Sequence, residues 1–181
     1  MKAFRLVFPL LIVLSAAAAL AQDYSRPGLY GQLNGVVSFD SFDGVPSGTL
    51  DSPIGVSARL GYRFDPRLAL EGQVEYSGDF VDCCGADLTS TFITLNGKFY
   101  VMQEQIQPYL MAGLGGGFVS ASASGFGSAD DSGFAVKAGG GLDFYVTESF
   151  GLNFEAAYNV GTGDLDDFNY TSLGWGAFLR F

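Results

Sequence analysis

Ile54-Gly55-Val56-Ser57-Ala58-Arg59-Leu60-Gly61-Tyr62-Arg63-Phe64 alternates without a break. Ile54, Val56, Ala58, Leu60, Tyr62 and Phe64 fall on one side, and Gly55, Ser57, Arg59, Gly61 and Arg63 on the other. Successive side chains of a strand point to opposite faces, so this is a strand with one apolar face and one small or charged face. Leu68 to Tyr76 repeats the pattern, with Leu68, Leu70, Gly72, Val74 and Tyr76 opposed to Ala69, Glu71, Gln73 and Glu75. Ile93 to Val101 does so again against Phe92, Thr94, Asn96, Lys98 and Tyr100. Phe134 to Phe144 opposes Lys137 and Asp143; Leu152 to Val160 opposes Asn153, Glu155 and Asn159. Leu173, Trp175, Ala177, Leu179 and Phe181 oppose Gly174, Gly176, Phe178 and Arg180. Leu29 to Phe39 forms the first such segment, against Tyr30, Gln32, Asn34 and Ser38. Pro108 to Phe118 is the fifth, and its glycines leave the register unassigned.

The connections alternate as well. Residues 65–67, 102–106 and 146–149 are short; 40–53, 79–90, 119–132 and 161–170 are long and polar. Seven connections imply eight strands, with both chain ends on the short-turn side. Charge decides which face looks outward. Arg59, Arg63, Glu71, Glu75, Lys98, Lys137, Asp143, Glu155 and Arg180 all fall on the less apolar faces, five cations against four anions, and the apolar faces carry no charge. Such a set pairs inside a narrow tube, whereas an Arg or Lys facing hydrocarbon costs about 2–4 kcal/mol at mid-depth. A closed barrel also pairs every backbone group, as lipid demands. The expected fold is therefore an all-β, eight-stranded antiparallel transmembrane barrel, an up-and-down meander with short periplasmic turns and long extracellular loops. Tyr30, Phe39, Tyr62, Phe64, Phe80, Phe99, Phe144, Phe150, Tyr158 and Phe181 stand near segment ends, as aromatic girdles would.

Composition agrees. The 181 residues include 26 glycines and 17 phenylalanines, no histidine, and 9 Lys+Arg against 19 Asp+Glu, a net charge of -10. So much glycine disfavours a helical bundle, and the lack of a basic face excludes nucleic acid as a partner. Residues 1–21 read as a cleaved signal peptide: Lys2 and Arg5 in front, an apolar middle, and Ala19-Leu20-Ala21 before the cut, with an uncleaved anchor as the alternative. Residues 22–181 are then the barrel domain. The longest later apolar run, Tyr109 to Val119, is too short for a membrane helix, which needs about 20 residues.

Three stretches resemble the small eight-stranded outer-membrane barrel superfamily, which includes OmpA-like transmembrane domains, OmpX-like proteins and opacity-type proteins. Gln107-Pro108-Tyr109-Leu110-Met111-Ala112-Gly113-Leu114-Gly115-Gly116-Gly117 resembles its Pro-Tyr, glycine-rich fifth strand, and Ala138-Gly139-Gly140-Gly141-Leu142-Asp143-Phe144 its sixth. Leu173, Trp175, Ala177, Leu179 and the terminal Phe181 resemble the signal read by the barrel-assembly machinery. The resemblance implies the cell outer membrane, with its lipid and lipopolysaccharide as surroundings. The peptidoglycan-binding domain of full OmpA proteins has no counterpart in this sequence.

No catalytic constellation emerges. The missing histidine removes the commonest general base and metal ligand. Glu71 and Glu75 lie about 13 Å apart along one strand face, too far for a glycosidase pair. The glycine runs at 113–117 and 139–141 lack the Gly-Lys-Ser/Thr ending of a phosphate loop. The long connections hold Asp40, Asp43, Asp51, Asp79, Asp82, Asp87, Asp130, Asp131, Asp164, Asp166 and Asp167 and no Lys or Arg. That makes a solvated acidic rim, since no Ca²⁺-loop spacing occurs; divalent bridging to lipopolysaccharide, or Ca²⁺ at Asp164, Asp166 and Asp167, is the alternative. Cys83 and Cys84 are adjacent and ill placed for an ordinary mutual disulfide. The expectation is a structural or interaction protein with no enzymatic activity, no cofactor and no metal. Its lumen is an ion-pair network and its loops are acidic; the alternative is a narrow channel or transporter for small solutes.

Overall fold

The structure is a computed structural model that describes residues 23–40, 54–78, 86–123, 127–163 and 169–181. Residues 1–22, with the expected signal peptide, and Cys83 and Cys84 lie outside the described residues. So do Asp43, Asp51, Asp79, Asp82, Asp164, Asp166 and Asp167.

Eight strands run in chain order: β1 (Gly28–Asp40), β2 (Ile54–Arg63), β3 (Leu68–Gly78), β4 (Ala86–Tyr100), β5 (Ile106–Ala123), β6 (Gly127–Tyr145), β7 (Phe150–Gly163) and β8 (Asn169–Arg180). Each pairs antiparallel with its neighbour, and β1 pairs with β8, so the barrel closes. Following the pairings from Asn34 through Ser57, Glu75, Phe92, Gly117 and Gly133 leads to Gly163 on β7. The short way round, through Gly176, leads to Asn153, an offset of ten residues (163 − 153). That stagger tilts the strands by roughly 40°, the usual range for such barrels. At about 3.3 Å per residue, the ten residues of β2 then rise about 25 Å, the height of an outer-membrane apolar band.

Burial alternates strictly along β2 and β3. The apolar positions are the outward ones: Leu33 is 70% exposed, Ile54 75% and Phe134 75%. The polar positions form the interior, with Glu71, Asn96 and Asn153 at 0%. The molecule is thus apolar outside and polar inside, the reverse of a soluble barrel.

The structure settles β5 and lengthens three strands. Gln107, Tyr109 and Met111 of β5 are buried, while Ile106, Leu110 and Leu114 face outward. β4 begins at Ala86, β5 runs to Ala123 and β6 starts at Gly127, so Asp87, Asp130 and Asp131 lie on strands rather than in loops, and Asp40 is the last residue of β1. The sequence of these strand ends carries no alternation of large apolar residues, and so they read as polar connections. Tyr30 is also corrected: it is 4% exposed and points into the bore, not into a girdle. Tyr62, Phe64, Phe99, Phe150, Tyr158 and Phe181 do face outward.

Candidate functional site: the charged lumen

The inward faces of the strands bring six charged side chains to the middle of the bore. Arg59 of β2 reaches Glu155 of β7 with two nearly parallel hydrogen bonds, 2.5 and 2.7 Å. Its guanidinium also lies 4.0 Å from Glu71 of β3. Lys98 of β4 stands 2.8 Å from Glu71 Oε1. That contact is an ion pair without hydrogen-bond geometry, and the ammonium also sits 4.2 Å from the centre of the Tyr109 ring. Lys137 of β6 lies 3.3 Å from both Glu75 and Glu155. Three cations and three carboxylates therefore neutralise one another, each at least about nine-tenths buried. Forked guanidinium–carboxylate pairing is the strongest form of such contact, and in a buried site it repays part of the heavy desolvation cost of burying charge.

Neutral groups complete the centre. Tyr30 donates to Glu71 (2.7 Å), Tyr109 to Glu155 (2.8 Å) and Tyr170 to Glu75 (3.1 Å). Gln73 donates to Glu75 (2.7 Å) and accepts from Asn96 (2.8 Å). Alternation put Tyr30, Gln73 and Asn96 on the inner face without singling them out as part of the site, left the register of Tyr109 unassigned and placed Tyr170 in a connection. The clue was present in the pairings with glycine. Tyr30 is directly opposite Gly61, and Tyr109 is directly opposite Gly141. A β-carbon at Gly61 would collide with the Tyr30 ring, and one at Gly141 with the Tyr109 hydroxyl. Each of these two inward glycines is the hollow into which an aromatic ring of the facing strand folds, the device known as aromatic rescue.

The remaining three charged residues stand apart, toward the periplasmic turns. Asp143 accepts from Tyr100 (2.9 Å) and Asn153 (2.6 Å) and has no ion pair among the described residues. Arg63 donates to Gln107 (2.7 Å) and to the Pro66 carbonyl, and its guanidinium lies 4.0 Å over the Tyr100 ring. Arg180 donates to the carbonyls of Tyr24 (2.6 Å) and Arg26, over the Tyr145 ring. Arg63, Asp143 and Arg180 thus differ from the single network expected of all nine residues: neutral acceptors and rings satisfy the two guanidiniums, and neutral donors the carboxylate. Leu173, Trp175, Ala177 and Leu179 all lie on the outer face of β8, and Phe181 follows it, 75% exposed. Among the described residues no group of three or more His, Cys, Asp or Glu is placed to hold a metal ion.

A closed antiparallel barrel with an apolar exterior, a polar interior and a membrane-height wall is a transmembrane β-barrel. The chain belongs to the outer membrane protein beta-barrel domain family, whose model matches residues 6–181. Its place is the cell outer membrane. Among solved structures it is similar to Neisserial surface protein A, at 17% identity and a TM-score of 0.72, covering 85% of this chain and 97% of that one. It is also similar to Ail, the attachment invasion locus protein of Yersinia pestis, at 24% identity and a TM-score of 0.62, covering 86% of this chain and 100% of that one. The N-terminal β-barrel domain of Pseudomonas aeruginosa OprF matches at 16% identity and a TM-score of 0.57, covering 86% of this chain and 100% of that one. At these identities the likeness is one of fold. No curated protein matches the sequence.

Proposed function

We propose that this outer-membrane protein is a structural and interaction protein without enzymatic activity. A side-chain-filled barrel holds long acidic connections toward the cell exterior. The observation that carries this reading is the set of bonds that cross the bore directly. Arg59 of β2 meets Glu155 of β7, Lys137 of β6 meets Glu75 of β3, and Tyr170 of β8 meets Glu75. Side chains in direct contact across a tube narrow the space left for water between them, which favours a plug over a channel or transporter; eight strands enclose just enough space for side chains. The acidic character comes from the sequence: residues 40–53, 79–90, 119–132 and 161–170, which take in the strand ends that hold Asp40, Asp87, Asp130 and Asp131, carry eleven Asp and no cation. Their partner is left open. Lipopolysaccharide is the natural neighbour of such a rim, and Leu173, Trp175, Ala177, Leu179 and Phe181 are the residues the barrel-assembly machinery would read.

The test is conductance in planar bilayers. The wild type is expected to stay silent, and Lys98→Ala to remain silent or flicker weakly while the folded barrel keeps its heat-dependent gel mobility. Steady single-channel currents from the wild type would replace this reading with a transport role.

A further inference from the structure

The periplasmic mouth of the bore is occupied by the chain itself. Asp23–Pro27 precedes β1, yet Tyr24 is only 4% exposed. Its ring packs 5.3 Å from that of Tyr145, which meets Phe178 edge-on at 4.9 Å, so three aromatic side chains fill this end. Donors from three strands converge on the Tyr24 carbonyl: Arg180 of β8 at 2.6 Å, Gln107 of β5 at 3.3 Å and Arg63 of β2 at 3.4 Å. Arg180 also holds the Arg26 carbonyl, and the Arg26 guanidinium reaches the Ser149 hydroxyl at 3.4 Å, beside the start of β7. Two buried guanidiniums without a carboxylate are costly, and here both spend donors on a short segment outside the strands.

We propose that Asp23–Pro27 is a strap that stops the periplasmic mouth and clasps the seam between β1 and β8. The seam is the pairing that joins the two ends of the barrel, and it closes the longest loop in the chain. Alone among the pairings, it has no connecting turn to hold it. Arg180 is the penultimate residue, and its two acceptors lie on the segment leading into β1, so its hydrogen bonds tie the first strand to the last. The clasp forms only when the barrel has closed, and it resists opening at the one place where the sheet can unzip.

The test is unfolding of the full barrel in urea from phospholipid vesicles. Tyr24→Ala and Arg180→Met are each expected to unfold at least about tenfold faster, the factor that one lost charge-assisted hydrogen bond or buried ring would give. The same substitutions are then placed in a chain whose seam is locked by a Leu33→Cys/Ala177→Cys disulfide, with Cys83→Ser and Cys84→Ser to prevent mispairing; Leu33 and Ala177 are directly paired across the seam. With the disulfide oxidised, the acceleration should vanish. If it persists, or if it never appears, the strap is not a seam clasp. Tyr24→Ala leaves the last strand untouched and carries the test should Arg180→Met fail to assemble. Hydrogen exchange gives a second reading: loss of protection confined to Leu173–Leu179 and the facing β1 residues supports the clasp, and uniform loss that includes Leu95–Lys98 overturns it.

Discussion

The middle and the periplasmic end of the bore bury charge in opposite ways. In the middle, Arg59, Lys98 and Lys137 are matched one for one by Glu71, Glu75 and Glu155. At the end, Arg63 and Arg180 are held by carbonyls, Gln107 and the faces of Tyr100 and Tyr145, while Asp143 takes hydrogen bonds from Tyr100 and Asn153. The reason is the supply of main-chain acceptors, since both regions are buried. In the centre the strand carbonyls are engaged in the sheet, so a charge there needs an opposite charge. The end borders the turns and the strap, where main-chain carbonyls are free to accept, and a dipole in good geometry suffices. A sealed ion pair is fragile to the loss of one partner, because the survivor stays buried and uncompensated; a guanidinium held by dipoles leaves only neutral groups behind.

The difference predicts a graded set of losses. Glu155→Ala removes the forked partner of Arg59 and one of the two carboxylates of Lys137, leaving two carboxylates for three buried cations, and is expected to cost about 3–5 kcal/mol of unfolding free energy in urea titrations from vesicles. A loss no larger than that of Asp143→Asn would break the comparison. Val74→Arg tests the outer wall instead. Val74 is 48% exposed near the middle of β3, next to the buried Gln73 and Glu75. Insertion there should cost about 2–4 kcal/mol by the same titration, since the side chain has lipid rather than a carboxylate within reach. Asp143→Asn keeps the shape and one acceptor, and should cost only about 1–2 kcal/mol. A larger loss would place Asp143 among the true ion pairs.

The smallest effect lies outside the barrel wall. Asp23 is exposed, and the Ser25 amide and hydroxyl, each 3.0 Å from its carboxylate, hold its pKa below the ordinary aspartate value. A group depressed in the folded state adds stability that is present above its unfolded pKa and lost as pH falls through its folded one. Asp23→Asn should therefore lower stability slightly at neutral pH, where the contribution is present, and leave it unchanged below the folded pKa, which flattens the acid-side decline. An effect at neutral pH as large as that of Tyr24→Ala would mean that the strap is held by its acidic end rather than by its carbonyls.

The alternation of β2, β3 and β7 was legible because most outward side chains there are large and apolar and each inward one is polar or small, so a period of two shows directly. β5 was not legible in the same way. Gly113, Gly115, Gly116 and Gly117 have no side chain to report a face, and only pairing with Lys137, Ala135, Phe134 and Gly133 of β6 sets their register. The strand ends that hold Asp87, Asp130 and Asp131 escaped for a related reason: their Ser, Ala, Gly and Asp residues give no apolar alternation to read. Tyr30 misled by position, since a tyrosine at a strand end suits a girdle until Gly61 is seen to make room for it inside.

The chain's own order of residues determined that charge would be inside and oil outside, because hydrocarbon penalises a cation on any strand regardless of its neighbours. Which charges would meet was decided only by the closed barrel. Arg59 and Glu155 are 96 residues apart and lie on strands that are not adjacent, so nothing local links them; the ten-residue stagger of the sheet rotates them to facing sides of one narrow bore. The same closure brings Tyr24 to Arg180 across 156 residues, since the two ends of a chain become neighbours only when the sheet meets itself.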